Sequence, residues 1–167
     1  MLFPFDESKL PEAANPDHAE RTIERWAANA PDPNVCEAVH EDIASQKLLR
    51  AIAGNSPFLA QCLQRDAAFT SKLLQHGPTE VFGSIIKSLH DPVHAAVDTP
   101  KLMARLREAK RNAALAVAVG DISEIWNLDQ VMNALSTFAD VSISIATRHV
   151  LRYHADARRL PMIDQNN

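Results

Sequence analysis

PKLMARLREAKRNAALAVAV, residues Pro100 to Val119, sets Leu102, Leu106, Ala109, Ala113, Ala116 and Val117 at steps of three and four. That spacing puts them on one side of an α-helix, where a strand would need strict alternation. Nearly every other residue in the stretch loses little side-chain freedom in a helix. Pro100 suits a first helical position because the N–H it lacks would have no partner there. A helix over 100–119 is therefore predicted. Gly120 is read as its end, and Asp121 as the cap of a short turn through Trp126.

Working outward, the longest predicted helix runs from Asp129 to about Ala155, with Met132, Leu135, Phe138, Ile145 and Tyr153 on its inner face. Within it Val141-Ser142-Ile143-Ser144-Ile145 alternates like a strand, but the flanking helical periodicity outweighs five residues. Upstream, Glu80–Leu89 and Ala67–Gln75 read as helices parted by Gly77-Pro78, and Phe58–Gln64 as one opened by Ser56-Pro57. Val35–Ala53 reads as one helix whose stripe is Val35, Val39, Ile43, Leu48, Leu49 and Ile52, with Gly54 at a left-handed cap. Asp17–Asn29 buries Ile23, Trp26 and Ala27. Residues 1–16, with Pro4, Pro11 and Pro16, read as an extended arm or one short turn. The expectation is an all-α, non-repeating chain: an arm (1–16), a helical domain of about seven helices with a long last helix (17–157), and a polar tail (158–167).

Composition limits what such a domain does. The chain has 167 residues, enough for one domain with a sizeable core, and 46% are hydrophobic against 23% charged, which is ordinary for a globular protein. A pI near 5.9 gives no overall basic footprint for nucleic acid. The longest apolar run, Ala113 to Val119, is seven residues, against about 20 for a membrane span. The start, Met1-Leu2-Phe3-Pro4-Phe5-Asp6, lacks the parts of a signal peptide. Cys36 and Cys62 make no disulfide framework and suit reduced thiols in the cytoplasm. The first fifty residues hold ten acids and five bases, so the acidity is concentrated at the front.

Several constellations bear on chemistry. His90-Asp91-x-x-His94 resembles half a metal site, but Pro92 lies inside it and no third ligand follows at a known spacing, so a solvated loop is the simpler reading. Cys36 and His40 share a helical face, as a nucleophile and base would, yet no orienting Asn or Asp is in view. Arg148, His149, Arg152, Tyr153 and His154 cluster where cations favour the negative end of a helix dipole. Lys101, Arg105, Arg107, Lys110 and Arg111, against the single Glu108, form a basic stretch that could dock an acidic partner or simply be solvated. Gly-rich phosphate loops, paired-cysteine zinc spacing, Gly-x-Ser-x-Gly and Asp-x-Asp are all missing. No catalytic, cofactor-binding or metal-binding residue is assigned.

Two stretches resemble a known family. Gly54-Asn55-Ser56-Pro57-Phe58-Leu59-Ala60 with Arg65-Asp66 is similar to a segment near the start of the glutamine synthetase adenylyltransferases. Leu106-Arg107-x-x-Lys110-x-x-Ala113-Ala114-Leu115, Ala118-x-Gly120-Asp121-Ile122, Trp126-x-Leu128-x-x-Val131 and Leu135-Ser136-x-Phe138-Ala139-Asp140 resemble the helical stretch that leads into that family's first nucleotidyltransferase domain. The resemblance implies a large cytoplasmic bacterial enzyme that attaches and removes AMP on a tyrosine of glutamine synthetase and answers to glutamine and a PII-type regulatory protein. It also implies magnesium, ATP and phosphate, the metal being held by an Asp-x-Asp pair after a Gly-rich segment. Neither motif occurs in this sequence, so no catalytic residue carries over; Arg107 and Lys110 match places that are commonly basic.

The sequence therefore predicts a non-catalytic N-terminal helical part, which would support an adjacent nucleotidyltransferase domain absent from the chain. A free-standing helical adaptor that binds a partner through the Lys101–Arg111 face is the alternative. Neither nucleic acid nor membrane is expected as a partner.

Overall fold

The computed structural model describes residues 1–90 and 98–156, and every regular element among them is helical. After a 3-10 turn at Glu7–Lys9 come α1 (Pro16–Asn29), α2 (Pro33–Glu41), α3 (Ile43–Asn55), α4 (Pro57–Arg65), α5 (Ala67–His90), α6 (Thr99–Ile122) and α7 (Leu128–Asp156). Seven is the number expected, reached through two offsetting differences. The single helix expected over 35–53 is two, and the two expected over 67–89 form one bent element.

Asp42 parts α2 from α3. It sits in extended backbone, its N–H donates to the Ala38 carbonyl (3.0 Å), and its carboxylate accepts from the Ser45 N–H (2.8 Å). One aspartate thus closes one helix and caps the next. The break rephases the stripe, and Ile43, expected inside, is 64% exposed. The bend in α5 is at Gly77, whose φ of 76° and ψ of 170° lie in a region that essentially only glycine occupies. The ring of Phe3 lies on it, and a Cβ at Gly77 would stand 2.4 Å from that ring.

Residues 1–16 are docked along the bundle. The Phe3 N–H donates to the Leu74 carbonyl (2.8 Å), Phe5 and Leu10 are buried, and Asn55 brackets the Glu12 carbonyl and the Ala14 N–H (both 2.9 Å). Gly54, expected as a left-handed cap, is the last-but-one residue of α3. A Cβ there would meet Ala13 at 2.6 Å, so this glycine admits the arm. Gly120, expected to end its helix, lies inside α6 with Asp121, because the Trp126 indole rests on it at a distance a Cβ would block (2.6 Å). The chain turns at Glu124 (φ 53°), and the Trp126 N–H returns to the Gly120 carbonyl (2.9 Å).

The core lies between α1, α3, α4, α5 and α6, with Leu48, Leu49, Ile52, Leu63, Leu73, Leu115 and Val119 closed from solvent. Trp26 of α1 is 1% exposed and donates its indole N–H to the Ala67 carbonyl (3.3 Å). α7 packs on α5 and α6 alone among the pairs in substantial contact. Its inner face is Val131 and Ala134, then half-buried Phe138, Val141 and Ile145. Met132, Leu135 and Tyr153, expected inside, are about half exposed, because α7 is apolar over a wider arc than two neighbours cover. The polar tail, 158–167, lies outside the described residues.

Gly77→Ala is expected to destabilise the chain by about 1–3 kcal/mol through backbone strain alone. In a chain this size each kcal/mol lowers Tm by roughly 2–4 °C in thermal melts. Combined with Phe3→Ala, the loss should be smaller than the sum of the two single losses. Strict additivity would mean that Phe3 does not rest on Gly77.

Candidate functional site

The five basic residues of α6 do not make one patch. Lys101 is paired with Asp98 (3.2 Å), whose carboxylate also caps α6 by accepting from the Lys101 N–H (2.9 Å); these two bonds hold the Asp98 carboxyl below its ordinary pKa. Arg105 donates to the Ser88 carbonyl near the end of α5 and so ties two helices together. Arg107 folds back onto the Met103 carbonyl of its own helix (3.1 Å). Lys110 is exposed and Arg111 half-buried. Arg107, Lys110 and Arg111 stand at positions i, i+3 and i+4, on one helical face. Of the five, these three share one face.

Arg111 faces α4. Its charge and that of Arg65 both act on the Cys62 thiol, favouring the thiolate, but burial outweighs them and pushes that thiol up from its ordinary pKa near 9. The neighbouring Asn112 donates to Asp66 (3.2 Å). Beside them is a solvent-open cleft of about 460 Å³ where the ends of α1 and α4 meet the start of α5, with Arg25, Asn29, Gln64, Arg65 and Asp66 as its polar lining. Asp66 is already committed: its other oxygen accepts from the Phe69 N–H (2.9 Å) as the cap of α5. The sequence gives no signal for this cleft, since Arg25 and Arg65 are forty residues apart and only the packing of α1 on α4 joins them.

Most of the remaining candidates make structural bonds. Cys36 donates to the Ala27 carbonyl (3.8 Å), and burial, then the charge of Asp32, raise its pKa, which is the reverse of an activated nucleophile. His40 is exposed in the last turn of α2. His90 bonds the Ile86 carbonyl of its own helix through Nδ1 (2.9 Å); Asp91 and His94 lie outside the described residues. His149 meets Thr99 (2.8 Å), Arg148 folds onto Ser144, and the Tyr153 and His154 rings stand edge to face. Among the described residues no three His, Cys, Asp or Glu side chains gather as a metal site. None of their helices is long and apolar enough to cross a membrane.

Such an arrangement defines an all-helical domain in which most of the candidate side chains serve structural bonds. Comparison with known proteins supplies the family. A family profile described as glutamate-ammonia ligase adenylyltransferase matches residues 46–167. The chain is 31% identical over 157 residues to a bifunctional glutamine synthetase adenylyltransferase/adenylyl-removing enzyme of Bradyrhizobium sp. (strain ORS 278), covering 92% of the chain and 16% of that protein. Proteins of the same description from Rhodopseudomonas palustris (strain HaA2) and Caulobacter vibrioides are each 31% identical, covering 90% and 83% of the chain and 16% and 13% of their own lengths. No solved structure matches. The chain belongs to the glutamate-ammonia ligase adenylyltransferase family, and it spans about a sixth of the length of the first of these relatives.

Because burial disfavours the thiolate at both cysteines, native Cys62 is expected to react with a disulfide reagent at pH 8 about tenfold more slowly than in the unfolded chain, with half-buried Cys36 between the two. Prompt reaction of both thiols in the native protein would contradict their burial.

Proposed function

We propose that this chain is the non-catalytic N-terminal helical part of an enzyme that attaches and removes AMP on glutamine synthetase. In that reading it supports the first, adenylyl-removing nucleotidyltransferase domain in the cytoplasm. The observation that carries the proposal is that the chain aligns over 92% of its own length to 16% of a bifunctional relative. Nucleotidyl transfer is driven by positioned metal ions that neutralise developing charge, and carboxylates must hold them. The described residues do not fit a magnesium centre, since no three potential ligands converge. In this reading magnesium, ATP and phosphate belong to other parts of the whole enzyme, and no step is assigned to side chains here. Glutamine synthetase and a PII-type protein are the partners of the whole enzyme in this reading, and Arg107, Lys110 and Arg111 are the surface through which this part would meet an acidic region of glutamine synthetase.

Incubated with adenylylated glutamine synthetase, phosphate and magnesium, the chain should release no ADP above the blank, whereas a full-length relative assayed alongside should release it. Turnover by the chain itself would overturn the reading. For the docking surface, Arg107→Glu with Lys110→Glu should weaken binding to glutamine synthetase about fivefold or more at low salt, with the difference shrinking as salt rises. Binding indifferent to both would leave this face merely solvated.

A further inference from the structure

α7 carries a second apolar face that nothing among the described residues covers. Leu128, Met132, Leu135, Ile143, Val150 and Tyr153 are between 49% and 74% exposed. Exposed Ala139 and half-buried Ala146 fill the gaps, so the stripe continues at steps of three and four along the helix. From Leu128 to Tyr153 it is about 38 Å long at 1.5 Å per residue. By helical rotation Asp129, Asp140, Arg148 and Arg152 all fall off this stripe, so no charge interrupts it. The packed face of the same helix, Val131, Ala134, Phe138, Val141 and Ile145, lies about a third of a turn away. Monomeric proteins rarely leave a continuous apolar surface of this extent open to water.

Resting on the function proposed above, we infer that this stripe of α7 is the seat of the nucleotidyltransferase domain that accompanies this segment in the family's longer chains. The family match runs across α7 and on to residue 167, and the curated relative is about six times the length of the aligned region, which covers 16% of it. A domain of the same polypeptide meets such a face at high effective concentration. An apolar strip with a polar border suits a contact between domains of one chain. Asp129, Ser136, Asp140 and Thr147 supply that border along one flank.

The test compares the same substitutions in two settings. Leu135→Asp with Ile143→Asp is made in the 167-residue chain and in a chimaera whose aligned region of the Bradyrhizobium enzyme is replaced by this chain. In the isolated chain both sites are exposed, so Tm should move by less than 2 °C and light scattering should give a monomer. In the chimaera Tm should fall by 5 °C or more. A photo-reactive benzophenone side chain at Ile143 of the otherwise unaltered chimaera should cross-link to the nucleotidyltransferase domain of the same molecule. Equal Tm changes in both settings, or the absence of any such cross-link, would overturn the inference. So would a dimer of the isolated chain abolished by the two substitutions, which would make a second copy the occupant. Failure of the proposed function reads differently: the isolated chain would itself release ADP, whatever the melting and cross-linking results.

Discussion

The second half of α6 is the constraint on which the rest of the bundle depends. α3, α4, α5 and α7 all pack against this one helix. Its contact residues are mostly small: Ala109, Ala113, Ala116 and Gly120 recur at steps of three and four, with Leu115 and Val119 filling the space between the partners. Small side chains let helix axes approach closely, and at Gly120 they leave room for an indole ring in place of a methyl group. Trp126 then serves two partners. Its ring meets Phe82 of α5 edge to face at 5.7 Å, and its indole N–H donates to the Thr79 hydroxyl (2.8 Å). The turn from α6 into α7 is thereby fixed against α5, and the direction of α7 follows from it.

This arrangement explains which features were legible in the sequence. Helix existence was, because a stripe such as Leu102 to Val117 and starts such as Ser56-Pro57 and Pro100 are local; Ser56 does accept from the Leu59 N–H (3.3 Å). Glycine roles were not. Gly54 and Gly120 sit inside helices, and what demands them is the methyl of Ala13 and the ring of Trp126, residues that meet them only after folding. Asp42 was missed for a different reason. The apolar positions on its two sides can be joined into one stripe, and only the capping bond to Ser45 reveals that the helix stops and restarts there.

The candidate site shows the same divide. Cys36 and His40, or Lys101 and Arg105, share a helical face by spacing, yet spacing says nothing of what stands opposite. In the fold the Ala27 carbonyl faces Cys36, and the Ser88 carbonyl faces Arg105. Both side chains are thus spent on joining helices. The family resemblance was legible because it rests on local runs of residues, such as Ala113 to Leu115 and Gly120 to Ile122, which can be read without the fold. The Arg25–Arg65 cleft was not, since it exists only where α1 crosses α4.

α7 differs from the other helices in how its two apolar faces are supported. The bundle of α1 to α6 closes on itself: Phe3 of the arm covers the bend of α5, the Phe5 ring lies 5.0 Å from it, and Asn55 ties the arm to α3. Those contacts owe nothing to α7's outer stripe. Stability of the bundle and occupation of the stripe are therefore separable, and burial of the stripe adds to a fold that already holds. A helix anchored along one face by Val131, Ala134 and Phe138 keeps its other face at a fixed angle to the bundle. A partner resting there is positioned by the rigid packing of α7 on α5 and α6, with no need for a loop to order first.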